Sequence, residues 1–314
     1  MAAWGAARLA GADRCRRIEA PTAPLLSFTP HVAAAALLGS LLPRRGRGPA
    51  AIAALAGTAL AAVVLPRTIG RPQPPAGGAT IGLVTVNLLG GRACEEAIVS
   101  LVQRSGADVL FLQELTDAAA GRLKQAGLAD LLPHEVTDLR GESTRGSGIY
   151  ARFPLTQCLA LRPTFAAQPT ARLHLPDGQQ MDLVCVHVAP PTPPWSRAKT
   201  ARWRQELDAL PAPVDSPASP PRVLAGDFNA SLDHAHFRRI LHHGYVDAAC
   251  QVGRGLVPTW GPLRSPAVLT VDHVLADPRC AVLSVSLRPL PGSDHRAVCA
   301  RLRLPTIGGP AGCR

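Results

Sequence analysis

Lysine is nearly missing from this sequence, with Lys124 and Lys199 the only two beside a large excess of arginine. Together with abundant alanine, proline and glycine, this is read as coding bias without mechanistic content. No CxxC pair occurs among the eight cysteines, which argues against a structural zinc site. Several cysteines, such as Cys185 in LVCVHV, lie in apolar runs and are expected to be small buried hydrophobes. In an oxidising compartment one or two disulfides could form, with pairs that the sequence does not name. No internal repeat is obvious. Acidic residues are scarce in one region only: residues 1–76 hold nine arginines but just Asp13 and Glu19, a net charge of +7. The remainder carries 24 basic against 20 acidic groups, +4, so the high pI comes mainly from the N-terminal arm. A globular part so nearly balanced has no electrostatic footprint that demands nucleic acid.

Two long runs lack charge. Leu25 to Leu42 is apolar apart from small polar residues, His31 and Pro30, and Pro49 to Pro66 has no charged residue at all. Each is close to the lower limit for a span, roughly 17 residues. Neither has the polar face of a surface helix, and no A-x-A cleavage site directly follows the second. A membrane hairpin over 25–66 is therefore expected, against the alternatives of a soluble helical pair or an export signal. Arg44, Arg45 and Arg47 in the connection would stay cytoplasmic and put the chain beyond residue 66 outside, although Arg14, Arg16, Arg17, Arg67 and Arg71 pull the other way. Residues 1–24 form an arm, 67–79 a Pro/Gly linker, 80–305 the main globular region and 306–314 a tail.

From Thr80 onwards short strands alternate with helices. Strands are expected at 80–89, 107–115, 146–155, 223–226, 269–276, 281–290 and 295–304, with a hairpin of 170–175 and 180–188 around the turn at 176–178. Helices are expected at 94–103, 116–128, 195–210 and 233–242, and 131–145 reads as loop. Polar groups collect at the strand ends: Asn87, Glu114, His187, Asp227 and Asn229, Asp272, Asp294 and His295. Each alone has an ordinary reading as a turn residue, a cap or a satisfied core histidine. In LAGDFNA, Asp227 and Asn229 are one residue apart and converge on one side of an extended chain while Phe228 points back into the core. Gly226 allows another backbone or a phosphate to approach closely. Jointly, so many apolar strands ending in acid, amide or imidazole indicate one shared site.

The order of motifs, VNLL, LQE, GSGIYARFPL, VHVAPP, GDFNA, VDHVLA and GSDHRAV, resembles the endonuclease/exonuclease/phosphatase superfamily over residues 80 to 304. The resemblance implies an α/β fold: a four-layer α/β/β/α sandwich of two mixed sheets, DNase I-like, here behind a short N-terminal membrane helical segment. It implies a metal-dependent phosphoric ester hydrolase. Glu114 and Asp294, with Asn87, would hold Mg²⁺ or Mn²⁺ through hard oxygen donors. Asp227 would be the general base or water-orienting acid, with Asn229 and Asn87 donating to the phosphate or helping with the metal. His295 would contact the phosphoryl oxygen, kept charged by Asp272, and His187 the opposite non-bridging oxygen.

Leu89 stands where abasic-site enzymes of the superfamily carry an acid, and Gly146 where they carry a tyrosine, which counts against a DNA-repair role. A membrane-anchored, outward-facing layout is similar to the bacterial branch that includes teicoplanin-resistance membrane proteins, and implies a lipid-linked or small phosphorylated substrate acted on by a monomer. A nuclease acting on DNA or RNA is the alternative within the enzyme class, not favoured, and a tethered protein that binds a phosphorylated ligand without hydrolysis is the alternative outside it. Arg197, Lys199, Arg202 and Arg204 on the helix at 195–210 either funnel an anionic substrate, with Trp195 or Trp203 at a surface, or form a solvated face with the tryptophans in the core. The second is the simpler.

Overall fold

The structure, a computed structural model, describes residues 2–40, 47–158, 164–191, 196–214, 216 and 218–306. Arg44, Arg45, Trp195 and Cys313 lie outside them. In chain order the helices are α1 (Ala2–Ala10), α2 (Glu19–Leu26), α3 (Thr29–Ser40), α4 (Arg47–Val64), α5 (Glu95–Ser105), α6 (Asp117–Gln125), α7 (Leu128–Leu131), α8 (Arg197–Ala209), α9 (Ala235–His242) and α10 (Ala248–Gln251). The strands are β1 (Thr80–Asn87), β2 (Val109–Gln113), β3 (His134–Asp138), β4 (Ser147–Ala151), β5 (Leu155–Gln157), β6 (Thr170–His174), β7 (Gln180–His187), β8 (Arg222–Asp227), β9 (Val246–Asp247), β10 (Asp272–Ala276), β11 (Ala281–Pro289) and β12 (Arg296–Arg303).

Two six-stranded sheets result, ordered β11-β12-β1-β2-β4-β3 and β5-β6-β7-β8-β10-β9. Each has one parallel pair near its middle, β1 with β2 and β7 with β8, and all other pairs are antiparallel. The alternation of side chains along each strand builds the layers. Leu83, Phe111, Ile149, Leu183, Ala225 and Val274 fill the space between the sheets. Val84, Val86 and Leu112 face outwards onto Ile98 and Leu101 of α5 and Leu123 of α6. On the opposite side Val184, Val186 and Leu224 meet Trp203 of α8 and Phe237 of α9. The expected four-layer sandwich of two mixed sheets flanked by helices is present. Trp203 is fully buried, as its simpler reading required. The seven described cysteines are unpaired thiols.

Three local expectations differ from the structure. Residues 146–155 form two strands rather than one: β4 ends at Ala151 and β5 begins at Leu155 in the other sheet, with Pro154 between them unable to donate a ladder hydrogen bond. The expected loop at 131–145 contains β3, an edge strand whose polar sequence HEVTD hides it. The helix expected over 116–128 breaks after Gln125, where Gly127 takes φ 89° and starts α7.

The N-terminal region is helical and docks on the sandwich. Asp233 is fully buried between two arginines, Arg8 Nε at 2.6 Å and Arg67 Nη2 at 2.6 Å. Asp13 accepts from the Ala235 backbone at the start of α9, and the Ala23 carbonyl meets the ring of His234. The linker is irregular, but Arg71 N donates to Gln251 O and Gln73 takes the Val282 N–H. Within the apolar region α3 and α4 pack closely, since a Cβ on Gly57 would lie 3.1 Å from that of Ala36. Among the described residues no single helix is long and apolar enough to cross a membrane. The bent pair α2 and α3, at 70°, passes by length and composition only.

Candidate active site

The strand ends converge at one mouth, where the C-terminal ends of the parallel pairs β1/β2 and β7/β8 meet. Asn87 closes β1, and its Nδ2 donates both to Glu114 Oε1 (3.1 Å) and to Asp227 Oδ2 (3.2 Å), so one amide ties an acid from each sheet. Its Oδ1 accepts from Leu89 N at 2.9 Å. Glu114 sits just past β2 with φ 55°, and its other oxygen takes Gly90 N at 2.7 Å. Leu89 (φ 50°) and Asn229 (φ 46°) share this left-handed conformation. Three such residues around one mouth mark backbone held in place by its surroundings.

Asp227 ends β8 opposite His187, its register partner at the end of β7. The approach is close: a Cβ on Gly226 would fall 1.9 Å from the Val186 carbonyl oxygen, so the glycine serves a neighbouring backbone. Asn229 donates its backbone N–H to Asp227 Oδ1 (2.8 Å) and its amide to Asp227 Oδ2 (3.2 Å) and Val188 O (2.9 Å). The amide donors of both asparagines are thus occupied by Glu114, Asp227 and the Val188 carbonyl.

Asp272 opens β10 directly across from Asp227 and holds His295 Nδ1 at 2.9 and 3.0 Å. The other ring nitrogen of His295 faces Asp227 Oδ2 at 3.8 Å and Asp294 Oδ1 at 3.9 Å. Burial disfavours a charged ring, but the adjacent carboxylates, Asp272 first, outweigh it and raise the His295 pKa to about 10. His295 is therefore an imidazolium at neutral pH. Burial, reinforced by the Asp272 charge, lifts Asp227 to about 7 against the pull of His295 and its hydrogen bonds. Burial also raises Glu114, opposed by Asn87 and Gly90. His187 goes the other way: burial and the nearby His295 charge lower it to about 4, so it is neutral. Its Nδ1 is buried without a hydrogen-bond partner among the described residues.

Three supporting residues escaped the sequence reading. Thr259 Oγ1 accepts from Val271 N and Asp272 N, Trp260 Nε1 donates to Asp294 Oδ2 at 3.0 Å, and Ser293 Oγ links Asn87 O to His295 N. Ser293 was within reach, since it precedes Asp294 in GSDHRAV. Thr259 and Trp260 lie in a loop far along the chain and had no local signal.

The residues fit a divalent ion. Glu114, Asp227 and Asp294 crowd negative charge at the mouth, and Asp294 Oδ1 is buried with no hydrogen-bond partner among the described residues. Ligand atoms of Asp227, Asp272 and His295 also lie within 4.8 Å of one another. That triad is a poorer cage, because Asp272 is committed to His295 and a protonated imidazole cannot ligate. Hard carboxylate and amide oxygens on Glu114, Asp294 and Asn87 suit Mg²⁺ or Mn²⁺ better.

The sequence profile of the Endonuclease/Exonuclease/phosphatase family matches residues 84–295. The chain belongs to the endonuclease/exonuclease/phosphatase family. This superfamily comprises hydrolases of phosphorylated substrates, nucleic acids included, that generally depend on a divalent metal. Solved structures agree on the fold. The family member from Beutenbergia cavernae superposes with a TM-score of 0.57 at 20% identity, covering 75% of this chain and 74% of that one. A humanized D. rerio TDP2 gives 0.57 at 18%, covering 71% and 98%, and D. rerio TDP2 complexed with single strand DNA product gives 0.54 at 17%, covering 71% and 99%. No curated protein sequence matches the chain.

Proposed function

We propose that the protein is a Mg²⁺- or Mn²⁺-dependent phosphoesterase that hydrolyses a lipid-linked or small phosphorylated substrate at the outer face of a membrane. The observation carrying the chemistry is the joining of Glu114, Asn87 and Asp227 across the two sheets, with the His295–Asp272 pair beside them. Glu114, Asp294 and Asn87 would hold the ion, which supplies positive charge against the developing phosphoryl charge. Asp227, with a pKa near neutrality, takes the proton of the attacking water as oxygen bonds to phosphorus and the bond to the leaving oxygen breaks. The charged His295 donates from Nε2 to a phosphoryl oxygen, and Asp272 fixes the ring and its charge. His187, neutral, offers a second hydrogen bond from the end of β7. Asn229 orients Asp227.

The membrane part of this reading is supported by the surface of the N-terminal helices. Leu38 (66% exposed) on α3 and Ile52 (58%) and Leu55 (72%) on α4 offer apolar side chains to solvent. The arginine-rich connection would lie on the inner side. The test is a substrate panel with the full chain, because Arg8 and Arg67 are part of the globule: polyprenyl diphosphate, phospholipid, inositol phosphates, DNA and RNA with Mg²⁺ or Mn²⁺. Release of phosphate from a lipid-linked substrate, abolished in Asp227→Ala and His295→Ala, is the expected result. Activity confined to DNA or RNA would transfer the protein to the nuclease reading, and turnover retained in both variants would remove the assigned site.

A further inference from the structure

A groove beside the mouth is lined by arginines that the proposed chemistry does not use. The chain entering β4 runs past Glu114, since Gly146 O accepts from Leu115 N at 2.9 Å. The preceding Thr144 is equally near: a Cβ on Gly90 would lie 3.3 Å from its methyl and 4.0 Å from Glu114 Oε2. Arg145 follows, and its carbonyl accepts from Ala167 N at 2.7 Å. The segment around 165–168 is in turn fixed to the other side of the mouth. Gln168 donates to the His187 carbonyl (3.4 Å), and Glu206 of α8 accepts from Phe165 N (2.5 Å) and Ala189 N (2.8 Å). Phe165 thus stands between the Glu114 and His187 sides.

Over its ring lie two cations, the Arg145 guanidinium 4.1 Å and the Arg202 guanidinium 5.1 Å from the ring centre. With Arg140 they line a cavity of about 830 Å³. Arg140 is paired with Asp138, but neither Arg145 nor Arg202 has a carboxylate partner among the described residues. The acids in the wall make no ion pair with either: Glu206 accepts from two backbone N–H groups, and Asp208 is engaged by Arg239 and His236. Two guanidiniums at one aromatic ring, neither held in an ion pair, are drawn together when an anion bridges them, and guanidinium forks match phosphate oxygens.

We infer that this groove is a second anion subsite, which takes a further phosphate group joined to the one at the mouth. This rests on the phosphoesterase reading and narrows its substrate to molecules with at least two linked phosphates. The further phosphate is either the distal one of a lipid diphosphate or the next one along a nucleic acid strand. The substrate's leaving portion or its neighbour would then be held by Arg145 and Arg202 while the Asp227 mouth works on the first phosphoryl group.

Three substrates separate the cases for the full chain in Mg²⁺: bis(p-nitrophenyl) phosphate, with one phosphate, farnesyl diphosphate, and the 5′-phosphorylated dinucleotide pTpT. In the Arg145→Gln/Arg202→Gln double variant, kcat/KM should fall about 10–100-fold, mainly through KM, on the substrate that uses the groove. On bis(p-nitrophenyl) phosphate it should change less than about twofold, as in an Arg301→Gln control at an exposed position of β12. A loss on farnesyl diphosphate alone assigns a diphosphate, and a loss on pTpT alone assigns a strand. Equal losses on all three substrates, or none, would overturn the subsite. Should the wild type hydrolyse nothing, the phosphoesterase reading fails separately. Calorimetric binding of inorganic pyrophosphate then decides for the groove, about tenfold weaker in the double variant if it exists and unchanged if it does not.

Discussion

Asp272 and His295 illustrate how one side chain sets the charge of another. Replacing Asp272 by Asn keeps a hydrogen-bond acceptor but removes the first of the carboxylate charges that hold His295 near pKa 10. In Asp272→Asn the alkaline limb of the pH–rate profile should move to lower pH, with activity at pH 8 down about 10²–10⁴-fold. A profile that drops uniformly without moving would deny His295 its charged role. The same pair shapes stability. A ring whose folded pKa lies above its unfolded 6.5 stabilises fully below that value and loses the contribution as pH rises through about 10. His187 has the opposite sign: depressed to about 4, it stabilises above 6.5 and loses this as pH falls through 4. Thermal melting in EDTA should therefore decline at both ends, and His187→Gln should flatten the acid end only. Adding Mg²⁺ should raise the melting temperature, by about 2.7 kcal/mol of stability at a hundredfold excess over Kd, and Glu114→Gln should remove that gain.

Strands and helices place these groups, and some of that placement depends on contacts remote in sequence. Gly226→Ala would put a methyl against the Val186 carbonyl, forcing β8 from β7 and Asp227 from His187. Loss of activity with marked destabilisation is expected, measured by urea unfolding and turnover on the same samples. Asp233 tests the docking of the N-terminal helices. Asp233→Asn leaves Arg8 and Arg67 buried without their counter-charge and should cost about 3–5 kcal/mol. Asp138→Asn, which breaks the exposed pair with Arg140, should cost under about 1 kcal/mol. A small effect at Asp233 would mean that the helices dock through their other contacts, such as Asp13 with Ala235 and Ala23 with His234. The same contrast explains what was legible in the sequence. Buried strands announce themselves by apolar runs, so β1, β2, β7, β8 and their terminal acids, amides and imidazoles could be read, together with the single site they share. The polar edge strand β3, the change of sheet at Pro154 and the clasp of Arg8, Arg67 and Asp233 could not. Each is decided by partners that no local pattern identifies.

At the scale of the whole molecule, apolar exposure is sharply uneven. Of the large hydrophobic side chains exposed among the described residues, all but Leu263 and Leu283 fall between Leu9 and Ile69. A soluble sandwich has no use for such a concentration, whereas a bilayer would remove it from water at about 25 cal/mol per Å². The helices carrying it are clamped to the sandwich through Asp233, so binding a membrane there would also fix the height and tilt of the mouth above the lipid. Full-length protein should co-float with vesicles of phosphatidylglycerol and phosphatidylethanolamine. Leu38→Glu/Leu55→Glu, which places charge on α3 and α4 without touching the site, should abolish flotation. The same variant should keep its rate on water-soluble bis(p-nitrophenyl) phosphate and lose at least about tenfold on a vesicle-borne diphosphate, since only the second reaction needs the mouth held at a surface. Undiminished flotation would mean that this apolar face does not carry the membrane binding. A parallel loss on both substrates would instead mean that the helices support the fold of the site itself.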